Sequence, residues 1–97
     1  MLDDITPIEG GYCVKRLDDQ HCVDVLRMMV NWRVVETERP DDESPHLLIS
    51  RGYCYFGHGE DAAGNSRTMA SAFRAALAAA AVWDGQGDPP GFDKRAF

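Results

Sequence analysis

Hydrophobic and polar positions alternate along the first half of the chain as they do in β-strands. Residues 12–17 and 31–38 carry apolar side chains at alternating positions, and Trp32 and Val34 point to the same side of the second run. Residues 21–30 fit either a strand or one face of a helix, and their valine content favours the strand. The pattern therefore predicts three consecutive strands.

A further strand region follows a clear loop. Residues 39–44, RPDDES, combine proline with acidic residues and serine, which is typical of a loop. Residues 46–56 then read HLLIS and GYCYF around Arg51, and they predict one interrupted strand or two short ones. Gly52 is the expected site of a bulge or bend.

The second half of the chain predicts a long helix. From about Arg67 to Trp83 the sequence is rich in alanine, the best helix former, and Asn65 or Ser66 is the expected N-cap. Gly85 is the expected C-terminal stop. The apolar positions recur at steps of three and four residues and form one stripe, which comprises Met69, Phe73, Ala76, Leu77, Ala80 and Trp83.

These elements predict an α+β fold, in which an antiparallel sheet of three to four strands packs against one long C-terminal α-helix. We expect an N-terminal arm (1–11), a single domain (12–85) and an extended Gly/Pro-rich tail (86–97), from which Phe92 or Phe97 returns to the sheet. The predicted core comprises Trp32, Val34, Cys54, Phe56, Met69, Phe73, Leu77 and Trp83.

The strand at residues 53–56 raises the question of which of its faces the helix covers. Tyr53 and Tyr55 alternate with Cys54 and Phe56. If the cysteine and phenylalanine point towards the helix, Arg51 and the two tyrosines form an exposed stripe of residue types enriched at protein-binding hot spots. The alternative is that the tail or a second copy of the chain covers the tyrosine face.

The composition is that of an ordinary globular protein. The chain has 97 residues, of which 44% are hydrophobic and 27% are charged. A run of about 18 apolar residues, the length that spans a membrane, is missing from the sequence. The N-terminal sequence lacks the basic start and apolar core of a signal peptide, so we expect a cytoplasmic protein.

The net charge of −6 is confined to the first half. Residues 1–50 contain eleven acids and five bases, whereas residues 51–97 contain five of each. Phosphate binding depends on clustered Lys and Arg, so this balance argues against nucleic acid as a partner. It is compatible with a solvated surface, with a basic protein partner, or with an acidic mimic of DNA.

Cysteine and histidine residues provide weak candidates for a chemical site. Paired metal-ligand spacings are missing from the sequence, so we predict neither metal nor cofactor. Cys54, with His58 and Glu60 nearby, is the candidate nucleophile, but the surrounding residues match no nucleophile signature. A small cysteine-dependent enzyme is therefore an alternative, and we predict that the protein is not an enzyme. The possible soft ligands are Cys13, His21, Cys22, His46, Cys54 and His58.

Strands followed by an alanine-rich helix look like a double-stranded RNA-binding domain. That family places a cluster of lysines at the start of the helix, where they reach phosphates. The stretch NSRTMASAFR offers only Arg67 and Arg74. A nucleic-acid-linked role therefore remains an alternative.

Three stretches carry a resemblance to a known group: MMVNWRVVET, RGYCYFG and AAAVWDGQGDPPGF. In them the chain resembles small orphan proteins encoded by bacteriophages of actinobacteria and by related prophages. The likeness covers roughly residues 12–92 and departs at the GFDKR ending. It implies no activity. Together with the composition it favours a non-enzymatic phage accessory protein that binds a host protein or itself.

Overall fold

A computed structural model of the chain describes residues 5–39, 48–57 and 67–93. The described residues form one five-stranded sheet followed by a helix. The elements are β1 (Thr6–Ile8), β2 (Gly11–Arg16), β3 (His21–Arg27), β4 (Asn31–Glu38), β5 (Leu48–Phe56) and α1 (Met69–Val82).

The sheet is an antiparallel meander in which each strand pairs with the next one along the chain. The predicted α+β fold is confirmed. The sheet has five strands instead of three to four because β1 lies within the predicted N-terminal arm. A three-residue strand is too short to show an alternating pattern, and Gly10, with φ of 83°, makes the tight turn that pairs Ile8 with Gly11.

Strand β5 is continuous, but its pairing with β4 contains an irregularity. Glu36 lies opposite Arg51 and Thr37 lies opposite Ile49, so Ser50 is the extra residue. Gly52 pairs regularly with Val35, and the prediction of a bulge at Gly52 is therefore wrong. The extra residue changes which side chains of β5 share a face with those of β4.

Local hydrogen bonds define both ends of helix α1. The predicted caps Asn65 and Ser66 lie outside the described residues, and Thr68 is the N-cap. The hydroxyl of Thr68 accepts from the Ser71 amide, and the Ser71 hydroxyl accepts from the Thr68 amide. The helix ends at Val82, and its C-cap is Trp83, whose backbone is extended and whose amide donates to the Ala79 carbonyl oxygen. Gly85, the predicted stop, has φ of 84° but lies two residues beyond this cap.

The buried face of α1 consists of alanines. Their small side chains let the helix lie close to the sheet, where they contact a layer of valines. Phe73 extends beyond this layer and packs on Trp32, with 4.3 Å between ring centroids. The buried alanines are Ala72, Ala76, Ala79 and Ala80.

Most of the predicted core is confirmed. Val34 and Trp83 are buried, and Trp32, Phe73 and Leu77 are partly buried against the same cluster. Met69 is partly buried at the margin, where it contacts Gly57.

The predicted orientation of β5 is wrong. Tyr53 lies opposite Val34, and Tyr55 lies opposite Trp32. Since directly paired residues share a face, the two tyrosines point towards the helix with Trp32 and Val34. Tyr55 is fully buried in the core cluster.

Cys54 and Phe56 consequently lie on the face of the sheet that points away from the helix. Cys54 is buried there, and Phe56 is only partly buried. The prediction that both residues belong to the core beneath the helix is therefore wrong, because they lie on the opposite face of the sheet. The predicted burial of Cys54 is confirmed.

The helix α1 has 14 residues. Within the described ranges, the structure contains no helix with the length and apolar character needed to cross a membrane.

Gly11 is required where β2 approaches β3. A Cβ at this position would lie 2.0 Å from the main-chain oxygen of Val25. We expect Gly11→Ala to lower the free energy of unfolding by about 1–3 kcal/mol or more, since backbone atoms must move. A Cβ on Gly52 would meet only Val35 Cγ1 at 3.4 Å.

Gly52→Ala is therefore the matched control, with an expected change within about 0.5 kcal/mol. Urea unfolding of both variants provides the measurement. Equal stabilities for the two variants would contradict the close approach of β2 and β3.

Candidate functional site

The sequence-predicted binding residues do not form an exposed stripe. Tyr55 is buried, and Tyr53 is partly buried against the core. Arg51 lies with its guanidinium carbon 5.0 Å from the ring centroid of Trp83, and it forms an ion pair with Glu36. The structure thus brings the three residues together on the helix side of β5, where they contact the chain itself.

The segment that covers them is a strap formed by residues 84–93, which follows the helix. It has no regular secondary structure, and it crosses the aromatic side chains of β5. Phe92 packs on Tyr53 edge to face, with 5.1 Å between centroids. The predicted return of Phe92 to the sheet is confirmed, and Phe97 lies outside the described residues.

The strap ends at Asp93, which is attached to the edge of β5. Its amide donates to the Cys54 carbonyl oxygen at 2.8 Å, and its carboxylate accepts from the Phe56 amide at 3.1 Å. The same carboxylate pairs with Arg67 at 2.8 Å. Arg67, one of two arginines considered for phosphate binding, is therefore held in an internal ion pair.

An open groove with a volume of about 760 Å³ lies at one end of the sheet. Three segments meet there: β1 with its following turn, the start of β2, and the connection between β3 and β4. Its described lining comprises Pro7, Ile8, Gly10, Gly11, Tyr12, Arg27, Met28, Met29 and Trp32.

Main-chain hydrogen bonds fix the walls of this groove. The Arg27 amide donates to the Gly10 carbonyl oxygen, and the Met28 amide donates to the Asn31 carbonyl oxygen, both at 2.8 Å. Beneath the groove, Phe73 of α1 contacts both Trp32 and Tyr12. The aromatic part of the groove is thus continuous with the core through Phe73.

The methionines at the rim are exposed to solvent. Met29 is 93% exposed and Met28 is 42% exposed, and Val30 beside them is also exposed. Methionine side chains are flexible and polarisable, so they adapt to irregular apolar partners. Among the described residues of the lining, Arg27 is the one that carries a charge.

A buried ion pair lies on the face of the sheet opposite the helix. Asp24 accepts a hydrogen bond from the Arg39 guanidinium at 3.0 Å and from the Thr37 hydroxyl at 2.8 Å. All three residues are buried. Burial raises the pKa of Asp24, although the Thr37 hydrogen bond and the Arg39 charge act in the opposite direction.

The partly buried thiol of Cys13 lies close to this ion pair. Burial, reinforced by the charge of Asp24, raises the pKa of Cys13 to about 12. A thiol with this pKa stays protonated near neutral pH, and the protonated form is a poor nucleophile. Cys54 is buried, and its proposed partners His58 and Glu60 lie outside the described residues, as does the possible ligand His46.

Comparisons of the chain with protein-family models, with curated proteins and with solved structures found no match.

The groove was not predicted, although the sequence contains one signal that points to it. Once β3 and β4 are recognised as strands, the residues between them must form their connection. Short connections are usually polar, yet Met28, Met29 and Val30 are consecutive apolar residues. Such a turn indicates an exposed apolar surface. Pro7, Ile8 and Tyr12 also line the groove, but they could be assigned to it only once the pairing of β1 with β2 was known.

The buried ion pair generates a stability prediction. Asp24→Ala leaves the Arg39 guanidinium buried without its carboxylate, and we expect a loss of about 3–5 kcal/mol in the free energy of unfolding. The double variant Asp24→Leu/Arg39→Met removes both charges and should lose much less. Chemical unfolding of both variants tests this expectation. A double variant as unstable as Asp24→Ala would show that the charges themselves are not the cause.

Proposed function

We propose that the protein acts by binding another protein through the groove, without catalysing a reaction. The observation that carries this proposal is the exposure of Met28 and Met29 beside the aromatic floor formed by Tyr12 and Trp32. Exposed apolar clusters of this kind mark interaction sites in soluble proteins. Aromatic residues and methionine are also enriched at the centres of protein interfaces.

The groove favours an apolar segment of a protein over a small polar substrate. Its lining is dominated by aromatic, methionine and aliphatic side chains. Arg27, the one cation in the described part of the lining, favours one carboxylate on the bound segment. The chain as a whole carries a net charge of −6, so a strongly acidic partner would be repelled. The partner that fits is therefore an apolar segment with a single acidic residue.

The resemblance to orphan proteins of actinobacterial phages makes a protein of the bacterial host the first partner to consider. Under this proposal the chain is a phage accessory protein that acts in the host cytoplasm.

A selection with displayed random short peptides tests the groove directly. We expect the immobilised chain to enrich apolar peptides that carry one Asp or Glu. The variant Met28→Gln/Met29→Gln should bind the selected peptides at least about tenfold more weakly, because it loses apolar contacts without gaining charge. Fluorescence anisotropy with labelled peptides provides the affinities.

The matched control is Val82→Gln. Val82 is 71% exposed on α1 and is not part of the groove lining, so this variant should bind like the wild type. Met28→Gln/Met29→Gln and Val82→Gln should both keep the wild-type stability because the altered side chains are exposed. Peptides whose binding is unchanged by the methionine substitutions, or a selection without enrichment, would contradict the proposal. A concentration-dependent dimer that requires the methionines would instead assign the groove to a second copy.

A further inference from the structure

The floor of the groove lies on the face of the sheet that carries α1. Pro7 pairs with Tyr12, and Tyr12 pairs with Val25, which belongs to the core cluster beneath the helix. Directly paired residues share a face, so Pro7 and Tyr12 point to the helix side of the sheet. The ring of Phe73 on α1 contacts the Tyr12 ring, with 5.6 Å between centroids. The floor therefore continues the surface that α1 covers.

The helix leaves one side of this face open. Among the described residues, α1 contacts β2, β3, β4 and β5, and no contact joins it to β1. Pro7 is exposed, and Tyr12 and Trp32 are only partly buried. Neighbouring strands lie about 4.8 Å apart, and a helix with its side chains is about 10 Å across. One further helix beside α1 would therefore span β1 and β2.

The free edge of β1 is poorly suited to an added strand. Ile8 pairs with Gly11 across a two-residue turn, and the pair that closes such a hairpin forms its hydrogen bonds within the hairpin. The direction of the main-chain groups alternates along a strand, so those of Pro7 point away from β2. Proline has no N–H, and the three-residue strand therefore lacks a donor at its centre.

The rim of the groove matches the chemistry of a helix face. Met28 and Met29 are exposed, and flexible methionine side chains adapt to the apolar face of a bound helix. Arg27 is also exposed, and it lies opposite Trp32, on the same side of the sheet as the floor. A carboxylate beside the apolar stripe of the helix is the complementary charge.

We propose that the segment bound in the groove is an amphipathic α-helix of the partner protein, which lies beside α1 on β1 and β2. This inference rests on the proposed function and specifies the partner. Helices are the elements that cover the apolar face of an antiparallel sheet in α+β domains. The apolar stripe of the bound helix, with steps of three and four residues, packs on Tyr12, Trp32 and the two methionines. One acidic residue beside the stripe pairs with Arg27.

Two sets of displayed peptides of equal length and amino-acid composition test the conformation of the partner. In one set the apolar residues recur at steps of three and four, and in the other they alternate. We expect the immobilised chain to enrich peptides of the first set, and Met28→Gln/Met29→Gln to bind them at least about tenfold more weakly. Enrichment of alternating peptides that require the methionines overturns the helical partner and leaves the proposed function intact. Enrichment from neither set overturns both.

A proline in the polar face of an enriched peptide tests the bound conformation. This face does not contact the groove, but proline breaks a helix and is accepted in an extended segment. We expect at least about tenfold weaker binding. Circular dichroism of the complex should show more helix than the sum of the separate spectra. Unchanged affinity without a gain of helix overturns the proposal.

The variant Pro7→Val distinguishes a helix from an added strand on the side of the protein. It keeps an apolar side chain on the helix side of β1 and supplies the missing N–H. The affinity for an enriched peptide should stay within about twofold of the wild-type value, because a helix bonds its own main chain. An affinity at least about tenfold higher indicates strand addition at β1 and overturns the helical partner.

The variant Arg27→Glu tests the charge contact. We expect it to bind an enriched peptide that carries one Glu about two- to fivefold more weakly, as for an exposed ion pair. Replacement of that Glu by Lys in the peptide should restore the affinity. Arg27 is exposed, so the variant should keep the wild-type stability. Affinities that do not respond to either charge overturn the pairing with Arg27.

Discussion

The register between β4 and β5 is the constraint on which the rest of the structure depends. It places Tyr53 beside Val34 and Tyr55 beside Trp32, so that all four side chains point to the same side of the sheet. The alanine face of α1 can approach this layer because its side chains are small. The strap then covers the part of the aromatic layer that extends beyond the helix. A shift of one residue would turn the tyrosines to the opposite face and remove the surface on which the strap lies.

The sequence predicted the elements with strong local patterns. Strand β4 matches the predicted residues 31–38, and the alanine-rich segment forms α1 and ends near Gly85 as expected. The orientation of β5 was not predictable in this way, because either face of GYCYF is apolar. The choice depends on the register in which residues 51–56 pair with β4 across the loop. Burial of cysteine and phenylalanine was the natural expectation from hydrophobicity alone, whereas the hydroxyl of Tyr55 is satisfied by an oxygen of Pro90 that lies 35 positions later in the sequence.

The candidate sites show the same division between local and long-range information. Arg51, Tyr53 and Tyr55 were identified as binding residues by type, and the structure places them against the strap of their own chain. The groove needs three separated segments to meet, so the apolar connection at residues 28–30 could indicate an exposed apolar surface but not the groove itself. The two surfaces have one feature in common: aromatic side chains that pack on the core present their outer parts to another segment. In the groove that segment is proposed to come from a partner, and at β5 it is the strap.

The stability of Tyr55→Ala in urea tests the orientation of β5 most directly. If Tyr55 lies in the core beneath α1, the substitution should lower the free energy of unfolding by about 3–5 kcal/mol, as for other large aromatic residues in cores. Tyr55→Phe, which loses only the hydrogen bond to Pro90, should lose about 0.5–1.5 kcal/mol. A Tyr55→Ala variant as stable as the wild type would mean that the tyrosine face is exposed, and it would contradict the arrangement of helix, sheet and strap described above.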